Sequence, residues 1–228
     1  MSWLWSNLGQ VWDLTVAHVT LSFFPILIGF VVSLPVGWVA NRYRLSRGVL
    51  LTIGGILYAI PSLPLFVAMP ALIGTTILDP VNVVVALSIY ALALMVRTSA
   101  DALGSVSGDV LQSATAVGFS TWRRFWAVEL PLSGPVLLAG LRVVSVSTVS
   151  LVSVGSLIGV SNLGTLFTQG LNQYNTPEVV TGIVAIMVVA LVFDVALVLF
   201  GRLLLPWNRV ATARRARRQA ALKAVTGP

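Results

Sequence analysis

Residues 112–131 read QSATAVGFSTWRRFWAVELP, an insert with two arginines, a glutamate and two tryptophans between two long apolar runs. Val110, Ala114 and Val117 recur at helical spacing before Gly118, and Trp122, Phe125 and Trp126 do so after it. The insert therefore reads as two short amphipathic helices meeting at a glycine. Gly118 can take the left-handed conformation that ends the first helix, and Ser120 or Thr121 can accept from the unpaired amides that begin the second. Leu130-Pro131 is expected to stop the second helix, because the residue before a proline is pushed out of the α region. Ser113, Ala114, Thr115 and Ala116 are small, so another surface can approach the first helix closely. Such a pair suits either a knob docked on another protein or a helix pair resting on lipid headgroups.

The chain around the insert belongs in lipid. Of its 228 residues 57% are hydrophobic and 9% charged, with a mean hydropathy of +0.95, whereas a soluble domain keeps roughly a quarter of its residues charged. The sequence therefore specifies an all-α integral membrane protein. A net charge of +7 would point to nucleic acid only on a soluble domain with a basic face, and no segment here can form one. No nucleic-acid partner is expected. The absence of cysteine removes disulfides, thiolate metal sites and cysteine nucleophiles. The first 20 residues hold no Lys or Arg, so a cleavable signal is not expected and the first span stays in the mature protein.

A helix needs about 20 mostly apolar residues to cross the hydrocarbon. Five stretches qualify, near residues 14–40, 49–69, 81–96, 134–160 and 179–205, the third being the shortest. Basic residues are retained on the cytoplasmic side. Arg42, Arg44 and Arg47 follow the first span, Arg97, Arg123 and Arg124 the third, and Arg202, Arg209, Arg214, Arg215, Arg217, Arg218 and Lys223 the fifth. With Arg142 at the cytoplasmic end of the fourth, these are all 14 basic residues. The loops on the other side hold Asp13, Asp79 and Glu178. The expectation is a multi-pass cell-membrane protein with its N-terminus outside and its C-terminus and insert in the cytoplasm. Trp3, Trp5, Trp12 and Trp207 sit where aromatic rings anchor to the membrane interface. The basic segment 208–228 reads as a solvated tail or an anionic-lipid contact.

Gln112-Ser113-Ala114, three residues, Gly118, nine residues and then Val128-Glu129-Leu130-Pro131 resembles the E-A-A-x3-G-x9-I-x-L-P loop of binding-protein-dependent ABC importer permeases. The departures are Gln112 for glutamate and Ser113 for alanine, so Gln112 can hydrogen bond to a partner but not form a salt bridge. YAIPSLPLF (residues 58–66), GSLIGVSNLGTLFTQGL (155–171) and NTPEVVTGIVAIMVVALVFD (175–194) are similar to the osmoprotectant branch, which carries glycine betaine, carnitine and choline. The resemblance covers roughly residues 20–207. It implies a type I importer permease domain over residues 1–207, a cytoplasmic coupling loop over 98–133 and a separate ATP-binding subunit gripping that loop. Gln112, Ala114, Ala116, Val117, Gly118, Phe119, Leu130 and Pro131 would form the coupling site, with Val117, Gly118 and Phe119 seated deepest. It also implies an extracytoplasmic solute-binding protein and a second permease copy or paralogue. The chain has no phosphate-cradling G-x-x-x-x-G-K-[ST] loop of its own, so it is expected to be a transport subunit and no enzyme, with no cofactor.

Candidate solute contacts come from the interrupted helices. Pro61 and Pro64 each remove an amide and clash with the carbonyl four residues back, so the carbonyls of Leu57 and Ile60 are expected to lose their partners. Tyr58, Pro61 and Ser62 then either line a pathway or mark a structural kink. Ser145, Thr148, Ser153 and Ser156 either glue helices together or line the pathway. Asp194 lies well inside a span and needs compensation; Arg142 and Arg97 are the candidates, with a cation or proton role as the other reading. A membrane-embedded enzyme would need convergent His, Asp, Ser or Cys groups. An ion-coupled carrier would show internal repeats and several buried ionisable groups. Neither pattern is apparent, and within the permease reading a different small cargo such as methionine stays open.

Overall fold

In hydrocarbon a backbone amide finds no water, so a spanning segment closes its hydrogen bonds within itself as a helix. The computed structural model describes residues 2–207, which leaves the basic segment 208–228 outside the described residues. The helices are α1 (Ser2–Ser6), α2 (Leu8–Arg42), α3 (Arg44–Ala59), α4 (Ser62–Ile73), α5 (Pro80–Gly104), α6 (Gly108–Ala116), α7 (Thr121–Arg124), α8 (Leu130–Val152), α9 (Thr165–Asn172) and α10 (Thr176–Leu204). Four stretches, Leu8–Arg42, Pro80–Gly104, Thr121–Ile158 and Thr176–Leu204, are long and apolar enough to cross a membrane unaided. The candidate for the fifth is the pair α3 and α4, bent by 101° at Ile60-Pro61.

The third span is the shortest of the four, as expected, but it reaches well beyond residues 81–96. α5 has 25 residues, because Asp79 caps its start through the Val81 amide at 2.9 Å and Pro80 occupies its first turn. At the other end the polar run after Arg97 continues the helix. Ser99, Ala100 and Ala102 are fully buried there, so small residues that carry little hydropathy still pack. α5 is the centre of the bundle, meeting α2, α3, α4 and α8.

Its closest neighbour is α2. Gly29, Ser33 and Gly37 recur every four residues, and a methyl added at Gly29 would lie 2.6 Å from Ala91 Cβ, one at Gly37 2.5 Å from Ser99 Cβ. Between them the hydroxyls of Ser33 and Ser99 share a hydrogen bond of 3.0 Å. Lipid tails are as apolar as leucine, so close backbone approach and interhelical hydrogen bonds hold such helices together. His18, fully buried, extends the seam by bonding through Nε2 to the Val149 carbonyl of α8 at 2.9 Å.

Pro131 does not stop the second helix of the insert. Residues Phe125–Glu129 form a π turn, in which the Leu130 amide bonds to the Phe125 carbonyl five residues back. That wider turn takes up the missing amide and the ring of Pro131. α7, the π turn and α8 therefore form one rod from the insert into the fourth span, which ends in a 3₁₀ turn at Ser153–Ile158.

α10 is the outermost helix, with 6% of its most apolar window buried. It is held to α8 by a fork in which Arg142 Nε donates to Asp194 Oδ1 at 2.6 Å and Nη2 to Oδ2 at 2.8 Å. Arg97 is exposed and takes no part.

Gly37→Leu is expected to destabilise the protein by about 1–3 kcal/mol through overpacking, seen as a lower thermal midpoint in detergent. Gly55→Leu, whose added side chain meets nothing within 4 Å of its Cβ, should leave the midpoint near wild type. For the fork, Asp194→Ala and Arg142→Ala should each lower the midpoint more than the double variant, because each single change strands one charge at membrane depth.

Candidate coupling site and solute pathway

α6 ends as its residues dictate. Gly118 has φ +90°, and the turn it makes lets the Gly118 amide reach the Thr115 carbonyl at 3.0 Å and the Phe119 amide the Ala114 carbonyl at 3.1 Å. Ser120 then opens α7 by accepting from the Arg123 amide at 3.4 Å. The joint sets α6 across the end of the α7–α8 rod.

Arg124 braces this joint. Its Nη1 donates to Thr115 Oγ1 on α6 at 2.9 Å, and its Nε to the buried carboxylate of Glu129 at 2.8 Å. Arg123 lies over the Phe119 ring, 4.8 Å from its centroid. On the inner side buried Phe125 meets Trp38 of α2 edge to face at 6.0 Å and packs against Trp126 at 5.1 Å, with Trp122 stacked beside it. The insert is thus fastened to the first span through Trp38 and to the fourth through continuous helix.

Gln112, Ala116, Val117 and Gly118 are exposed, with Val117 at 75%. Phe119, Leu130 and Pro131 are half-buried, and Ala114 is buried, turned inward. Trp122 and Trp126 are exposed beside this tip. An apolar patch on an otherwise polar insert is the mark of a protein or membrane contact. Sequence reading missed the brace, since nothing in the spacing of Thr115, Arg124 and Glu129 announces a three-way bond.

The candidate solute contacts fall in two places. Tyr58 and Pro61 are exposed and Ser62 half-buried at the break between α3 and α4. Ile60 and Pro61 are extended there, with ψ 128° and 140°. The carbonyls expected to be stranded are both served: Leu57 accepts from the Ile60 amide at 3.4 Å, and Ile60 accepts from the Tyr90 hydroxyl of α5. Tyr90 was not legible as that donor, because its partner lies 30 residues away. Ser145 and Thr148 are buried in the bundle, away from the open side of α3. Ser153 and Ser156 bond back to the carbonyls of Ser150 and Ser153 in the 3₁₀ turn. Among the described residues no cluster of His, Asp or Glu is placed to hold a metal.

Residues 14–210 match the family described as binding-protein-dependent transport system inner membrane component. The chain is 29% identical over 206 residues to the choline transport system permease protein OpuBB of Bacillus subtilis, covering 90% of this chain and 94% of that protein. It is 26% identical over 206 residues, with the same coverage, to the glycine betaine/carnitine/choline transport system permease protein OpuCB of the same organism. With the osmoprotectant import permease protein OsmW of Salmonella typhimurium it shares 27% identity over 191 residues, 82% of this chain and 88% of that one. Among solved structures, a chain of the inward-facing MetNI methionine ABC transporter has the same fold, with a TM-score of 0.76 at 20% identity over 87% of this chain and 98% of that one. The matched region takes in every membrane crossing and the braced insert, and this chain belongs to the family of binding-protein-dependent transport system inner membrane components.

Proposed function

We propose that this permease imports small quaternary-ammonium solutes, of the choline, glycine betaine and carnitine kind, driven by ATP hydrolysis in a separate subunit. The relatives named for such cargo support the solute class. The observation that carries the coupling is the exposed Val117-Gly118 tip on a joint braced by Arg124 and tied to two spans. Gln112, Ala116, Val117, Gly118 and Phe119 meet the ATPase, while Ala114, Leu130 and Pro131 shape the joint beneath. Two such permeases, a second copy or a paralogue, enclose the pathway. An extracytoplasmic solute-binding protein delivers the cargo. The permease domain is residues 1–207 with its coupling loop over 98–133, the N-terminus outside and the C-terminus in the cytoplasm.

The geometry suggests how force would pass. Closure of two ATPase subunits moves the two inserts together. The α7–α8 rod carries that displacement into the fourth span, and the Trp38–Phe125 contact carries it into α2. Because α2 is locked to α5 by its glycine seam, the bundle rocks as one body and exposes the pathway to alternate sides.

Gly118→Trp adds a side chain where the structure is open but strains the left-handed joint and blocks the tip. In proteoliposomes with the ATPase and the solute receptor, uptake and receptor-stimulated ATP hydrolysis should fall at least about tenfold, which corresponds to about 1.4 kcal/mol in coupling. The thermal midpoint of the permease should stay near wild type. Unchanged uptake overturns the coupling role. Arg124→Gln keeps the tip and loosens the brace, so solute moved per ATP should fall while ATP hydrolysis continues.

A further inference from the structure

The break in the second span holds an arrangement that the coupling mechanism does not use. Tyr58, at the end of α3, is exposed, and its ring meets that of Tyr90 edge to face at 5.9 Å and 87°. Tyr90 is buried and pinned by its hydroxyl to the Ile60 carbonyl. One ring is therefore fixed and the other rests against it, open on its remaining side. Tyr58 lies about 13 Å along the helix from Val49, where the apolar run begins. That is near mid-depth, away from the interface where tyrosines serve as anchors. Its exposed neighbours on α3, Ile53 and Ile56, are aliphatic.

The backbone beside these rings is rich in acceptors. In an unbroken helix the carbonyls of Tyr58 and Ala59 would take the amides of Ser62 and Leu63, but among the described residues no such bond spans the 101° bend. Backbone of this kind does not face lipid tails; it faces protein or a watered cavity. Arg42 lies over Trp38 and Arg123 over Phe119, both toward the insert. Among the described residues no cation lies on the Tyr58 ring.

We propose that Tyr58, backed by Tyr90 and by the carbonyl end of α3 at the Ile60-Pro61 break, is a passing contact site for the quaternary ammonium group of the cargo. The proposal rests on the reading of this chain as a permease for such solutes. A quaternary ammonium has no N–H to donate, so ring faces and carbonyl dipoles are the groups that attract it. The open Tyr58 ring, backed by the buried Tyr90 ring, forms one wall of a cage. No carboxylate adjoins them in the sequence, the nearest along the chain being Asp79 and Asp101, each 11 residues from Tyr90. The cation is thus drawn across the apolar depth and released, where a closed cage would hold it.

The test replaces residue 58 in the assembled importer with phenylalanine, with phenylalanines carrying one, two and three ring fluorines, and with leucine. Fluorine drains the ring face of negative potential without changing its shape appreciably. Choline turnover should be near wild type for Tyr58→Phe, fall stepwise with fluorination, and drop about three- to thirtyfold for Tyr58→Leu, with the thermal midpoint unchanged across the series. Turnover indifferent to fluorination overturns the proposal even if Tyr58→Leu is impaired, since packing alone explains the latter. A receptor-free arm separates the two readings. Tetramethylammonium should give saturation-transfer NMR contacts with the wild-type complex in nanodiscs that disappear in Tyr58→Leu. Contacts without choline uptake by wild type leave the site standing and remove the function; uptake with contacts that persist in Tyr58→Leu removes the site and leaves the function.

Discussion

Every polar group of the backbone has to find its partner inside the chain once water is excluded, and the departures from plain helix in this protein answer to that constraint. At Pro131 the chain meets it with a π turn that keeps the rod intact. At Pro61 no such adjustment is made. The helix breaks, and two carbonyls are served, that of Leu57 by the Ile60 amide and that of Ile60 by the Tyr90 hydroxyl. Pro64 falls in the first turn of α4, where its missing amide would have no intrahelical partner in any case.

The insert is firmly fastened at its base. Its tip is apolar and exposed, while its inner side is held by an arginine with two acceptors on different helices and by an aromatic cluster reaching α2. A loop tethered only at its ends would dissipate displacement. This one is fastened to two spans at once, and the small-residue seam between α2 and α5 extends the close packing to the centre of the bundle.

Local physics was readable from the residues. The hydrophobic runs, the left-handed Gly118 and the Ser120 cap depend on neighbours within a few positions, and their signals stand in the sequence. The candidate tip, Val117 and Gly118, came instead from the resemblance to the E-A-A-x3-G loop. What depended on distant partners was not readable. The true length of α5 rests on Ser99 meeting Ser33 across 66 residues, and the brace at Arg124 rests on Thr115 and Glu129 arriving together. The stop expected at Pro131 failed because the α-region rule for the preceding residue assumes an ordinary turn. Gly29, Ser33 and Gly37 did carry a four-residue rhythm, hidden among valines and leucines of the same hydropathy.

The fork between Arg142 and Asp194 has two parallel bonds, and a planar pair of that sort resists twisting as well as separation. Gly182 lies against Phe167 and Gly201 against Leu138, so close contacts toward both ends of α10 act together with the fork. Roll about the helix axis is opposed at three depths, and the surface that α10 offers outward has a fixed heading relative to the bundle.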